Sequence, residues 1–88
     1  MAEKQRLDKW LWFARVAKTR TLAARLIAEG HVRLNKRRVE TPAKGVSRGD
    51  VVTVALEHRV RVLKVLAPGC RRQGAPDAAH LFEELHAG

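Results

Sequence analysis

Residues 18–35 read KTRTLAARLIAEGHVRLN, and the first part of this stretch carries apolar residues at helical spacing. Thr19 precedes the pattern and is suited to cap a helix, because its hydroxyl can accept a hydrogen bond from a free amide of the first turn. Gly30 follows it and is suited to end a helix, because glycine readily adopts a left-handed backbone. The spacing therefore predicts a helix over 20–29. Its predicted apolar face consists of Leu22, Ala23, Leu26 and Ile27.

A second run of helical spacing lies upstream, in residues 6–17, RLDKWLWFARVA. Its apolar residues, three and four positions apart, predict a helix with one buried side. This stripe consists of Leu7, Trp10, Leu11 and Ala14. At about 100° per residue, Asp8, Trp12 and Arg15 fall on the opposite side of the helix. Because only a short joint separates the two helices, we expect them to pack as a hairpin or at a steep angle.

After the second helix, the apolar residues alternate instead of recurring every three or four positions. Val32 and Leu34 would point inward and Arg33 outward, which is typical of a half-buried β-strand. The sequence NKRR predicts a tight turn, because Asn35 tolerates a positive φ. Val39 would then start a return strand. The change in spacing predicts a helix followed directly by a β-hairpin.

Two further strands are predicted in residues 51–66, joined by a turn near Glu57 and His58. Their apolar residues alternate in the way that half-buried strands do. The alternating residues are Val52, Val54 and Leu56 in one strand and Val60 and Val62 in the other. Together with the hairpin, these strands predict a small antiparallel sheet.

The C-terminal segment has a different composition. Residues 67–76 contain two prolines and two glycines, which favours a linker, and Asp77 is placed to cap a short helix over 78–86. The whole pattern predicts an α+β fold, in which two packed N-terminal helices are followed by a small antiparallel sheet and a short C-terminal helix. We expect one domain over 1–66, with 67–88 forming the linker and a helix that packs on the domain.

Positive charge is concentrated in the first part of the chain. The 88 residues include 18 Lys and Arg against 9 Asp and Glu, and residues 1–50 hold 13 of the basic and 5 of the acidic side chains. Between residues 6 and 38 the only acids are Asp8 and Glu29. A surface that serves only solubility usually mixes the two signs, so this concentration indicates an anionic partner, most commonly nucleic acid. The basic set consists of Arg6, Lys9, Arg15, Lys18, Arg20, Arg25, Arg33, Lys36, Arg37 and Arg38.

Arginine outnumbers lysine in this set, and its planar guanidinium suits bidentate contact with phosphate. The helix start near Thr19 and Arg20 adds free amides and the positive end of the helix dipole. A helix-turn-helix over 6–29 would present Arg20, Thr21 and Arg25 to DNA, but it offers few side chains that read bases. Composition and spacing therefore leave RNA and DNA as open alternatives.

Trp12 allows two interpretations. By its helical phase it lies off the buried stripe, near Lys9 and Arg15, where it could stack on an exposed base. The interpretation that we favour is packing beneath the C-terminal segment, because a small domain seldom leaves a tryptophan uncovered. The apolar residues of that segment are Leu81, Phe82 and Leu85.

The sequence carries no pattern typical of catalysis, a cofactor or a metal site. The four histidines lack metal-ligand spacing, and the single Cys70 is too few for a zinc knuckle or an internal disulfide. Glycine-rich phosphate loops and nucleophile motifs are absent as well. The start MAEKQRLDKW lacks the apolar core of a signal peptide, and charges interrupt the longest apolar stretch. We expect a cytoplasmic protein that is not an enzyme and does not bind membranes.

Three segments occur in an order that resembles the S4 RNA-binding domain, a family named for the fourth ribosomal protein of the small subunit. They are RLDKWL at 6–11, AKTRTLAARLIAEGHVRLN at 17–35 and PAKGVSRGDVVTV at 42–54. Lys36 departs from the family pattern, which usually has glycine after asparagine at this turn. Within the family, RLDKWLWFAR, KTR and the tail RRQGAPDAAHLFEE are similar to the bacterial, ribosome-associated heat shock protein 15 family.

The resemblance implies that the helix pair and the first strand contact RNA. It implies ribosomal RNA of free large subunits that carry a nascent chain on tRNA, with peptidyl-tRNA as a further partner and rescue or recycling as the role. Two alternatives remain: an RNA-targeting module working with a separate RNA-modifying enzyme, and a basic module that binds an acidic protein. We expect a monomer. The RNA-contacting residues carried over to this sequence are Arg6, Lys9, Arg15, Lys18, Thr19, Arg20, Arg25, Arg33, Asn35 and Lys36.

Overall fold

Two helices and two antiparallel sheets make up the described part of the chain. The computed structural model describes residues 4–68 and 79–85. The helix-plus-sheet content confirms the predicted α+β class with two N-terminal helices. In chain order the elements are β1 (Gln5–Arg6), α1 (Leu7–Phe13), α2 (Arg20–Ala28), β2 (Val32–Leu34), β3 (Arg37–Val39), β4 (Gly45–Val46), β5 (Val51–Ala55), β6 (Val60–Val65), a 3₁₀ turn (Ala79–Leu81) and β7 (Phe82–Leu85).

The larger sheet has five strands in the order β3–β2–β5–β6–β7, and each neighbouring pair is antiparallel. The β2–β3 hairpin turns at Asn35 and Lys36, whose φ values are 52° and 73°. Two positive φ values are typical of a type I′ turn, whose twist matches that of the flanking strands. The predicted turn is therefore confirmed, although the return strand ends at Val39 instead of starting there. β1 and β4 form a separate two-stranded sheet.

Both helices contribute to one core against the same face of the sheet, which we call the inner face. α1 begins beside the loop that precedes β4: the amide of Leu7 donates to the carbonyl of Lys44 at 2.8 Å. It ends at Phe13, earlier than predicted, and the backbone of Arg15 then adopts a φ of 62°. The inner face consists of Val32, Leu34, Val39, Val52, Val54, Leu63 and Val65, and the helical segments cover it with Leu7, Trp10, Leu11, Ala14, Ala17, Ala23 and Ile27.

The local signals at the ends of α2 behave as predicted. The Thr19 hydroxyl accepts a hydrogen bond from the amide of Leu22 at 3.0 Å, and Gly30 has a φ of +83°. Ala23 and Ile27 are fully buried, but Leu22 is 38% exposed. The predicted apolar face of α2 is therefore wrong at Leu22, which lies in the first turn of the helix.

Strand β6 turns a different set of residues to the core than the alternation of Val60 and Val62 suggested. Val60 is 56% exposed, whereas Leu63 and Val65 are buried. The register explains the difference, because Val52 of the inner face lies opposite Leu63. Neighbouring residues on paired strands point to the same side of a sheet.

The C-terminal segment forms a strand where a short helix was predicted over 78–86. After the 3₁₀ turn, β7 pairs along β6, with Phe82 opposite Val65 and Leu85 opposite Val62. Pairing with an open sheet edge outweighs the weak helical preference of so short a segment. The predicted cap, Asp77, and residues 69–76 of the predicted linker lie outside the described residues. The division into 1–66 and 67–88 stays a prediction.

An ion pair fastens β7 to the sheet. The Arg61 guanidinium donates to both carboxylate oxygens of Glu84, at 2.8 and 3.0 Å, and lies 5.6 Å from the centroid of the Phe82 ring. The hydrogen bond to Glu84 is the main cause that raises the pKa of Arg61, and burial opposes it. Phe82 also meets Trp10 edge-on, with ring centroids 6.4 Å apart. These contacts join the C-terminal strand to the helix side of the core.

Candidate nucleic-acid interface

Asp8 joins the starts of the two helices. It was expected on the exposed side of α1, but it is only 4% exposed. Its amide donates to the carbonyl of Pro42, so the loop before β4 covers this end of the helix. Its carboxylate accepts two hydrogen bonds from the Arg6 guanidinium, both 3.1 Å long, and one from the amide of Lys9 at 2.7 Å. The expected exposure is therefore wrong because tertiary contacts enclose the side chain.

Arg20 approaches the same carboxylate from the first turn of α2. Its Nη2 atom lies 3.9 Å from Oδ2 of Asp8. The side chains of Arg6 and Arg20 remain 53% and 45% exposed, so both guanidinium groups are oriented by the protein and still face solvent. Two predicted contact residues from different helices are thus brought together by one buried acid.

The first turn of α2 adds to the positive potential at this place. It contains no acidic residue, and the exposed Lys18 directly precedes its cap. Thr19, predicted as an RNA contact, uses its hydroxyl oxygen to cap the helix. Its role in the site is therefore to fix the helix start from which Arg20 projects.

Lys9, Arg15 and Arg25 complete the helix side of the predicted set. The Nζ atom of Lys9 lies 5.8 Å from the centroid of the Phe13 ring, and Arg15 is exposed after the end of α1. Arg25 lies 3.4 Å from Glu29, one turn along α2. An exposed ion pair of this kind adds little stability, so Arg25 can exchange its partner at low energetic cost. We call Arg6, Lys9, Arg15, Lys18, Arg20 and Arg25 the helix surface.

The other three predicted contacts lie on the sheet. Arg33 points to the face opposite the helices, because its neighbours Val32 and Leu34 point to the core. Lys36 is exposed at the tip of the hairpin. Both ends of the Asn35 amide are already hydrogen bonded: Nδ2 donates to Asp50 at 3.1 Å, and Oδ1 accepts from the amide of Val51 at 2.9 Å. The structure therefore does not gather all the predicted residues on one surface.

Two basic residues outside the predicted set border the helix side. Arg37 lies opposite Leu34 of the inner face, at the edge of the sheet. It lines a groove with Lys44, whose carbonyl holds the start of α1. The parity of the hairpin could have placed Arg37 on this side. The position of Lys44 depends on a long-range loop contact that no local pattern encodes.

The tryptophan beneath the C-terminal segment is Trp10. Its Nε1–H donates to the carbonyl of Ala67 at 3.0 Å, and its ring meets Phe82. Trp12 is half-buried, and its ring lies 5.0 Å from that of Phe13. The packing role that we favoured for Trp12 thus falls to its neighbour in the stripe, and stacking of Trp12 on a base stays a prediction.

Other kinds of site were searched for in residues 4–68 and 79–85. No group of three or more His, Cys, Asp or Glu side chains in these residues is arranged to hold a metal ion. None of the helices in the same residues has the length and apolar character needed to cross a membrane. Cys70 lies outside the described residues.

Comparison with known proteins places these features among relatives. The S4 domain family model matches residues 5–52, which include α1, α2 and the β2–β3 hairpin. The heat shock protein 15 homologue of Haemophilus influenzae is 40% identical over 88 residues, covering 99% of this chain and 66% of that protein. Heat shock protein 15 of Escherichia coli K12 is 41% identical over 83 residues, covering 94% of this chain and 62% of that protein.

Two further relatives extend the comparison. Small ribosomal subunit protein uS4 of Xanthobacter autotrophicus is 33% identical, and the match covers 40% of that protein. The solved structure of Vibrio cholerae heat shock protein 15, described as trimeric, superposes with a TM-score of 0.88 at 38% identity, covering 94% of this chain and 83% of that one. The chain thus spans somewhat less than two thirds of the length of the H. influenzae and E. coli proteins.

Proposed function

This chain belongs to the S4 domain family and, within it, to the heat shock protein 15 group, and from that premise we propose that it binds RNA through the helix surface. The RNA is ribosomal RNA of the large subunit. The subunits bound are those that carry a nascent chain on tRNA, and the role is their rescue or recycling in the cytoplasm. Peptidyl-tRNA is a second contact of the bound protein.

The observation that carries this proposal is the meeting of two helix starts at Asp8. Arg6 and Arg20 hold defined positions there, 3.1 and 3.9 Å from the same carboxylate. Phosphate binding is strengthened when guanidinium groups are oriented before the partner arrives, because less side-chain freedom is then lost. Structured RNA is recognised mainly through its shape and backbone, and a rigid pair of arginines suits that mode.

The start of α2 supports the same reading. Its cap is formed by Thr19, its first turn lacks acidic residues, and Lys18 and Arg20 flank the cap. A helix N-terminus attracts an anion through its amides and its dipole. A phosphate placed there would also be within reach of basic side chains from both helices.

The test removes charge at the helix start without disturbing the core. We expect the double variant Lys18→Ala, Arg20→Ala to bind structured large-subunit RNA at least tenfold more weakly, a loss of about 1.4 kcal/mol, with an unchanged unfolding midpoint. Arg59→Glu is the matched control, because it also lowers the net charge by two but lies in the exposed turn between β5 and β6. Equal weakening by the two variants would reduce the proposal to a general charge effect.

Oligomeric state is a separate part of the proposal. We infer that the chain acts as a monomer, as its composition suggested, whereas its V. cholerae relative is described as trimeric. Sedimentation equilibrium at micromolar protein concentration distinguishes the two states. A mass three times that of the chain would overturn the monomer.

A further inference from the structure

The face of the five-stranded sheet that is turned away from the helices carries two arginines directly opposite each other. We call it the outer face. Arg33 of β2 lies opposite Arg38 of β3 on one side and opposite Thr53 of β5 on the other. Because Val32 and its partner Val39 point to the core, the next residues along each strand, Arg33 and Arg38, share the outer face.

This arrangement is unfavourable in the isolated protein. Like charges directly opposite on neighbouring strands are destabilising. Within residues 4–68 and 79–85, neither Arg33 nor Arg38 forms an ion pair with an acidic side chain. A bound anion would turn the repulsion between the two guanidinium groups into joint attraction.

Arg38 is held in place by the end of α2. Its guanidinium occupies the space that a side chain at residue 30 would need, and Gly30 leaves that space open. Cations are favoured at the C-terminal end of a helix. Arg38 therefore has a defined position on the outer face, comparable to the position that Asp8 gives to Arg6 on the helix surface.

A shallow groove adjoins the arginine pair. It is lined by Gly30, His31, Arg33, Thr53, Ala55 and Val60. Val60 is 56% exposed and gives the groove an apolar end, and the Thr53 side chain supplies a hydroxyl beside Arg33. A polynucleotide offers both components in alternation, charged phosphates and apolar sugar surfaces.

We propose that the outer face is a second RNA-binding surface, at which Arg33 and Arg38 together hold a backbone phosphate. The inference rests on the proposed RNA binding and extends it: one molecule holds two RNA segments, one on the helix surface and one on the opposite side of the sheet. Charge favours RNA over a second copy of the chain as the occupant, because a symmetric contact would bring four arginines together.

The experiment measures how many copies of a short RNA hairpin, too small to reach both surfaces, bind to each molecule. We expect the wild-type chain to bind two hairpins in a calorimetric titration. The variant Arg33→Gln, Arg38→Gln should bind one, with the other site weakened at least tenfold. The variant Lys18→Ala, Arg20→Ala removes the same charge and should also bind one, through the outer face.

A mixture of donor-labelled and acceptor-labelled hairpins gives an independent readout. Energy transfer between hairpins should appear with the wild-type chain and be absent with either double variant. A wild-type stoichiometry of one, with binding unchanged in Arg33→Gln, Arg38→Gln, would overturn the second surface while leaving the proposed function intact. No binding by the wild-type chain would refute the proposed function itself.

Two controls keep the result specific. The variant Arg33→Lys, Arg38→Lys retains the charge, and we expect it to weaken the second site because lysine lacks the bidentate fork. Full retention of that site would show a charge effect without the proposed geometry. If Arg33→Gln, Arg38→Gln instead changes the sedimenting mass and leaves RNA stoichiometry unaltered, the face is a contact between copies, and the proposal is wrong.

Discussion

The carboxylate of Asp8 and the guanidinium of Arg6 form two parallel hydrogen bonds, each 3.1 Å long, at the start of α1. The acid is almost fully buried while the arginine is half exposed. Arg20 of α2 approaches the same acid. One acidic residue in a strongly basic region therefore orients basic groups instead of merely neutralising them.

Replacing Asp8 by Asn separates orientation from charge. The variant Asp8→Asn gains one unit of positive charge, so a simple charge model predicts tighter RNA binding. We expect weaker binding, by at least threefold, because Arg6 and Arg20 lose their common partner, together with a loss of about 1–2 kcal/mol in stability. Fluorescence anisotropy with labelled RNA and urea unfolding measure the two effects.

The matched control for this variant is Glu40→Gln. Glu40 is exposed in the loop after β3, and its substitution changes the net charge by the same amount without touching Arg6 or Arg20. We expect it to bind RNA as tightly as the wild type or slightly more tightly. Binding by Asp8→Asn that matches this control would contradict the orienting role of Asp8.

Gly30 is expected to tolerate no side chain, for two reasons that can be separated. Gly30→Ala places a Cβ at a φ of +83° and against the Arg38 guanidinium, whereas Gly49→Ala meets only the backbone penalty, because nothing lies within 4 Å of its Cβ. The backbone penalty is about 1–2 kcal/mol. We expect Gly30→Ala to lower the free energy of unfolding by more than Gly49→Ala.

The origin of that excess can be checked in a second background. Combining Gly30→Ala with Arg38→Ala removes the side chain that occupies the space. The additional loss should then disappear, leaving the backbone penalty alone. An excess that persists without the guanidinium would show that Arg38 is not the neighbour that requires glycine.

Lys36 lies at the second position of a type I′ turn with a φ of 73°. Glycine is strongly preferred there, so we expect Lys36→Gly to stabilise the fold by about 0.5–1 kcal/mol, since relief of backbone strain exceeds the added freedom of the unfolded chain. Thermal unfolding measures the change. Lys36→Ala removes the same charge but keeps the Cβ, and an equal gain in that variant would assign the effect to charge.

Glu84 is expected to stabilise the docking of β7. Glu84→Gln removes the charged partner of Arg61, and we expect a loss of about 1 kcal/mol and faster amide exchange in residues 82–85. Glu83→Gln is the control on the same strand, because Glu83 lies opposite Lys64 on the outer face. Equal exchange rates in the two variants would show that the Arg61 ion pair does not fasten the strand.

The sequence predicted those parts of the fold that depend on local chemistry. Thr19 and Gly30 delimit α2, and Asn35 forms the hairpin turn, because capping and positive φ are properties of single residues. The buried stripe of α1 also follows from spacing. The C-terminal strand did not, because its conformation depends on pairing with β6, which outweighs the local preference of residues 82–85.

The candidate site was predicted in composition but not in arrangement. The sequence identifies the basic residues, yet helical phase alone placed Asp8 on the exposed side, since the loop at residues 42–44 that covers it is distant in sequence. The separation of Arg33 from the helix surface follows from strand parity. The contact between Arg38 and Gly30 required knowledge of where β3 lies relative to the end of α2.

The central claim is that the basic surface recognises RNA and not charge alone. The most direct measurement compares affinity for structured large-subunit ribosomal RNA with affinity for a DNA duplex of equal length, across a salt series. Each phosphate neutralised on duplex DNA contributes about −0.9 to the slope of log affinity against log salt concentration. We predict that RNA binds more than tenfold tighter at moderate salt, about 1.4 kcal/mol. Equal affinities with equally steep slopes would contradict the claim.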